Sequence, residues 1–218
     1  MNCRMYASLA ALALSTLAAL TTAPPHPLAA QPPQRAPARR STAAPPVTVV
    51  EASITDLRTA LAQGRITSRQ LVLQYLTRIA LYEDRLNAII TVNPNAFAEA
   101  DARDRERAQG NARGSLHGIP VALKDNIHAA GMPTTGGALA FADLVPPYEA
   151  TLTRNLREAG AIIIAKTQLT ELANWVATGM PGNYNGLTGY GMNPWDPRRD
   201  PRDEIGRASC RERVWRYV

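Results

Sequence analysis

Hydrophobic positions along the chain first recur at helical spacing, then collect into short uninterrupted runs. Ile54, Leu57 and Leu61 share one helical face, behind a start signal at Ser53–Asp56 (SITD) and ahead of Gly64, which ends the helix. A second capping box, TSRQ at Thr67–Gln70, opens a longer stripe of Leu71, Val72, Tyr75, Leu76, Ile79 and Tyr82. These are packing residues. Ala88–Val92 then reads as a strand, and Pro94 leads into a helix over Ala96–Gln109 that Gly110 closes. Within it DARDRER, Asp101–Arg107, mixes charge signs at helical spacing and predicts a solvated face.

The second half has a different rhythm. Val121, Ala122 and Leu123 form a short apolar run between Gly118 and Pro120 on one side and Asp125 and Asn126 on the other, the pattern of a core strand ending in a polar turn. Gly131–Gly137 reads as a loop. Its adjacent hydroxyls, Thr134 and Thr135, suit either bonding to strand ends or lining a pocket, with the structural use favoured. Thr151–Ala159 predicts a helix with Leu152, Leu156 and Ala159 on one side and Gly160 as its stop, followed by a strand at Ala161–Ala165. Gln168–Ala173 predicts a further short helix, capped by Thr167 or Thr170. The fold class is therefore α/β, with parallel strands joined by a right-handed crossover.

Both ends depart from this pattern. Arg4 followed by the apolar run Ala7–Leu20 has the charge, length and small residues of a secretory signal peptide and is short for a bilayer span. Cleavage fits after Ala23 or Ala30, and Pro24 favours the second, so 1–30 is expected to be a signal peptide. Residues 31–50, rich in Pro and Ala, are expected to be a linker with too few large apolar residues to offset its ordering entropy. These features imply a secreted or periplasmic protein without a stable membrane anchor. The folded part is expected over 51–203.

Charge sharpens the same division. The net charge of +6 comes from the ends: residues 1–46 hold four arginines and no acid, residues 198–218 seven arginines and four acids, and the middle 13 bases against 14 acids. Without a basic face interleaved with aromatics, nucleic-acid binding is not expected. Cys3 and Cys210 supply neither a disulfide framework nor a metal cluster. His26, His117 and His128 have no ligand spacing, and the last two read as loop residues.

The candidate chemistry is Lys124, at the end of the predicted strand in LHGIPVALKDNI, Leu116–Ile127. An ammonium partly removed from water has its charged form disfavoured, which is how a lysine becomes a general base. Asp125 and Asn126 are supporting residues that fix the turn aiming it. A rival motif is GAIIIAKT, Gly160–Thr167, which nearly matches a P-loop but has Ala165 where the second glycine belongs. Its β-branched run favours extended structure over a phosphate cradle, so Lys166 reads as a strand-end residue that helps position nearby loops.

GSLHGIPVALKDNI resembles the first signature block of the amidase signature family. Further blocks follow in the family's order: GMPTTGGALAF (Gly131–Phe141), YEATLTRNLREAGAIIIAKTQLTELA (Tyr148–Ala173) and NYNGLTGYGMNPWDP (Asn183–Pro197). The resemblance implies the N-terminal portion of that fold, a mixed β-sheet core surrounded by helices and incomplete in this chain. It also implies an amidohydrolase that splits a small amide or peptide amide into a carboxylate and ammonia or an amine. The family's triad is Ser, cis-Ser and Lys, with Lys124 as the matching lysine and no cofactor or metal. Its serines come from a Gly/Ser-rich loop, where this chain runs DEIGRASCRERVWRYV, and Ser209 has no glycine cluster beside it. The fragment is accordingly expected to be inactive. EIGRASCRERV, Glu204–Val214, resembles the in-frame translation of a common sequencing adapter, so 204–218 is expected to be a non-native tail. Two rivals carry the same signature: a non-catalytic binding protein on this fold, and a component of an amidotransferase that works on charged tRNA, against which the leader argues.

Overall fold

The computed structural model describes residues 45–199; the expected signal peptide, most of the linker and the expected non-native tail lie outside them. Two helices come first, α1 (Ile54–Ala62) and α2 (Ser68–Leu86), each opened by the predicted capping box. Ser53 Oγ accepts the Asp56 N–H while the Asp56 carboxylate accepts the Ser53 N–H, and Thr67 and Gln70 repeat the exchange. Then follow β1 (Ile89–Val92), α3 (Ala96–Ala108), β2 (Pro120–Lys124), α4 (Thr151–Glu158) and β3 (Ile162–Thr167), and last a small hairpin of β4 (Tyr184–Asn185) and β5 (Gly189–Tyr190).

The main sheet has the order β1-β3-β2, with β3 central, antiparallel to β1 and parallel to β2. The sheet is therefore mixed, and α4 lies in the connection between the parallel pair. Helices cover both faces. On one, Leu57, Leu61, Leu71, Val72 and Tyr75 of the first two helices and Ala96 and Ala100 of α3 pack with Ile162, Ile164 and Ala165. On the other, Leu123, Ala129, Met132 and Ile163 form a smaller cluster joined by Val121, Ile127 and Leu156 of α4.

An irregularity in β3 decides where its end points. Val121 pairs with Ile163 but Ala122 pairs with Ala165, leaving Ile164 as an extra residue. Ile164 and Ala165 consequently both pack toward the three helices, and the alternation resumes one step late. Lys166 then lies opposite Leu123, on the α4 side; regular alternation would have turned it toward α1–α3.

Several expectations are corrected. Ile54 and Leu152, assigned to packing faces, are exposed, and so is Tyr82. In α4 it is Thr153 that is buried, its hydroxyl donating to the His128 carbonyl at 2.6 Å. DARDRER is more than a solvated face. Asp104 accepts the N–H groups of Ser68 (2.7 Å) and Arg69 (3.1 Å) at the start of α2, and Arg107 donates to the His117 carbonyl at 2.6 Å. The predicted helix over Gln168–Ala173 is absent; a single 3₁₀ turn occupies Glu171–Asn174. The Gln168 N–H goes to Ala88, and the Leu172 N–H, which a helix would give to the Gln168 carbonyl, goes to Gly136. Leu172, Ala173 and Asn174 adopt left-handed backbone instead, and Thr170 Oγ1 accepts the Asn183 N–H rather than capping a helix.

Candidate active site

The chain contains 22 arginines and only two lysines, Lys124 and Lys166, and the fold sets both at the C-terminal ends of neighbouring parallel strands. Leu123 pairs with Lys166 and Lys124 with Thr167, so the two are offset by one register position. Their surroundings differ completely.

Lys166 is wholly buried. Its Nζ donates to Asp125 Oδ1 at 2.8 Å, to the Pro133 carbonyl at 3.0 Å and to Thr134 Oγ1 at 3.0 Å, which uses all three ammonium protons. Burial draws this ammonium below the ordinary lysine value, while the hydrogen bond and charge of Asp125 pull the other way. Asp125, also fully buried, is equally saturated. Its Oδ2 accepts the N–H of Thr135 at 3.0 Å and the Thr135 hydroxyl, its own N–H donates to the Thr167 carbonyl at 3.1 Å, and its carbonyl accepts from Gly136 at 3.0 Å. The GMPTTGG loop is thus folded around one ion pair.

Lys124 is half-buried and its Nζ has no hydrogen-bond or salt-bridge partner among the described residues, while its backbone is held by the pairing with Thr167 and by the Ile127 N–H at 3.0 Å. Since Val121 and Leu123 pack with Ile163 and Ala122 packs on the opposite side, alternation continues Lys124 along the Ala122 face, away from Lys166. Of the two expected supporting residues, Asp125 lies in the buried cluster and Asn126 is exposed at the turn. Thr134 and Thr135 serve strand ends, as favoured from their types.

A second layer ties this loop to the hairpin. Asn185 is fully buried, donates to the Leu169 carbonyl at 2.9 Å, and accepts the N–H groups of Leu187 (3.1 Å) and Thr188 (2.8 Å). Gly137, with φ of 75°, lies so close that a Cβ there would meet Asn185 Cβ at 2.7 Å. The hairpin has one signal in the sequence, the Asn185-Gly186 dipeptide. GAIIIAKT forms strand β3, as its β-branched run predicts, rather than a phosphate loop. Among the described residues no group of three or more His, Cys, Asp or Glu side chains could hold a metal ion, and no helix is long and apolar enough to cross a membrane.

The fold thus sets a half-buried lysine at the end of one strand and packs a Thr-Thr-Gly-Gly loop on its neighbour. The family profile described as Amidase matches residues 70–201, and the chain belongs to that family. It is 36% identical over 163 residues to a glutamyl-tRNA(Gln) amidotransferase subunit of Alkaliphilus metalliredigens, covering 74% of this chain and 32% of the relative. Against the same-named protein of Natranaerobius thermophilus it is 38% identical over 161 residues, covering 73% and 32%. Among solved structures, the native peptide amidase from Stenotrophomonas maltophilia superposes with a TM-score of 0.68 at 42% identity, covering 69% of this chain and 31% of that one. An amidase family protein from Bacillus anthracis gives 0.65 at 35% identity, covering 68% and 30%. The chain spans about a third of the length of these relatives.

Proposed function

We propose that the protein is an amidase in which Lys124 accepts the proton of a serine nucleophile through a bridging serine, releasing ammonia or an amine and then a carboxylate. The observation that carries this is the contrast between the two lysines. Arginine holds its proton too tightly to act as a base at neutral pH, and Lys166 has every proton engaged, so Lys124 is the amine left to exchange one. Asp125 and Asn126 form the turn that directs it. The likeness to a peptide amidase, one structure of which holds the competitive inhibitor chymostatin, supports a small amide or peptide amide as substrate. The leader at 1–30 supports a secreted or periplasmic location; N-terminal sequencing of protein recovered from outside the cytoplasm tests it.

Hydrolysis of a panel of amides by the full-length gene product, with Lys124→Ala as control, tests the reading. Turnover that disappears in Lys124→Ala supports it, and turnover that survives removes Lys124 from the reaction. The names of the curated relatives favour one alternative, a protein that transfers an amide group on charged tRNA as part of a larger enzyme; activity seen only with charged tRNA and a second protein component would establish that instead. Amide binding without turnover would indicate a binding protein on this fold.

A further inference from the structure

We infer that Lys166 is a positioning residue for Lys124, acting through Asp125: its ion pair fixes the Lys124–Asp125 peptide from the opposite face of the sheet. This inference rests on the reading of Lys124 as the proton acceptor.

Four observations converge on it. The extra residue in β3 turns Lys166 to the α4 side, where Asp125 is within 2.8 Å of its ammonium. Asp125 follows Lys124 directly, so whatever anchors its side chain and backbone also fixes the carbonyl end of Lys124. That anchoring is complete: Lys166 on Oδ1, Thr135 on Oδ2, Thr167 on the N–H and Gly136 on the carbonyl. Finally, Lys166 holds the loop as well as the strand, through the Pro133 carbonyl and Thr134 Oγ1. One cation therefore joins β3, the end of β2 and the Thr-Thr-Gly-Gly loop, whereas the Lys124 side chain has no partner among the described residues and takes its direction from the backbone.

A buried ion pair adds little net stability over a well-packed apolar pair, so retaining one here fits a demand for geometry. That separates the inference from a purely structural role. Lys166→Met leaves the Asp125 carboxylate buried without its counter-ion, whereas Lys166→Met with Asp125→Asn removes both charges at nearly unchanged volume and still offers Thr135 an acceptor.

The test uses the full-length gene product, the most rapidly hydrolysed amide of the panel, thermal melts, and acetic anhydride labelling of the lysines read by mass spectrometry. Lys166→Met is expected to melt well below wild type. The double variant is expected to melt well above Lys166→Met yet keep a kcat about 100-fold down with KM little changed, the scale of a misplacement of about 1 Å. Its Lys124 acetylation rate should also differ from wild type by several-fold. A double variant with wild-type kcat and wild-type Lys124 labelling overturns the inference. If Lys124→Ala keeps full turnover, the base reading fails, and the labelling comparison alone then decides positioning: equal rates reject it and unequal rates uphold it.

Discussion

Two lysines one register position apart on neighbouring strands have opposite surroundings, and the difference shows how a fold can seal one cation while leaving its neighbour's amine unengaged among the described residues. Lys166 is sealed, with three acceptors for three protons. Lys124 has its backbone held from both sides and its amine unpartnered among the described residues. An amine with every proton engaged cannot exchange one without breaking its site; an amine with none engaged can. Strand alternation makes the division possible, because the bulge in β3 sends Lys166 below the sheet while Lys124 continues the other face.

The comparison breaks most severely at Lys166. Lys166→Met strands a buried carboxylate, and urea unfolding should show a loss of about 3–5 kcal/mol; a loss below about 1 kcal/mol would mean that Asp125 reaches water or another partner. Next is the floor of the loop. Gly137→Ala places a Cβ at 2.7 Å from Asn185 with φ of 75°, and should destabilise by about 1–3 kcal/mol in the same assay. Thr135→Val removes the hydroxyl donated to Asp125 Oδ2 and should cost about 1–3 kcal/mol, with Thr135→Ser restoring most of it.

The smallest effect sets a third buried group against the lysines. His117 is buried, with its Nδ1 accepting the Arg113 N–H at 3.2 Å and its Nε2 2.9 Å from the Arg103 carbonyl. Burial lowers its pKa; the charges of Arg107 and Arg103 add to that, and the Arg103 carbonyl and Glu106 oppose it. Its folded pKa therefore lies below the unfolded value of about 6.5. The stability it contributes is intact above that pH and is lost as the pH falls through the folded value, by at most about 1.4 kcal/mol per pH unit. Urea midpoints between pH 8 and pH 5 should fall in wild type more steeply than in His117→Gln; parallel slopes would remove His117 as the source.

Elements whose local signals agree were readable from the residues alone. The two capping boxes, the long stripe of α2, the strand before Lys124 and the isoleucine strand β3 all form where their patterns place them. What could not be read depends on partners distant in the chain. Gln168–Ala173 has helical spacing, but the Leu172 N–H, which would bond the Gln168 carbonyl, is taken by Gly136, and Leu172 and Ala173 turn left-handed. Leu152 has a packing residue's type yet faces solvent, while Thr153 is buried because a carbonyl 25 positions away accepts its hydroxyl. The site divides in the same way. The turn after Lys124 is local and visible, whereas the saturation of Lys166 depends on a one-residue bulge that no residue type announces.

The most direct test substitutes the two lysines identically. In the full-length gene product, Lys124→Met and Lys166→Met are compared by urea unfolding and by turnover of the same amide. The account predicts that Lys124→Met unfolds within about 0.5 kcal/mol of wild type and loses turnover by about 10²–10⁴-fold, while Lys166→Met is strongly destabilised. Turnover surviving in Lys124→Met, or Lys166→Met unfolding like wild type, would contradict it.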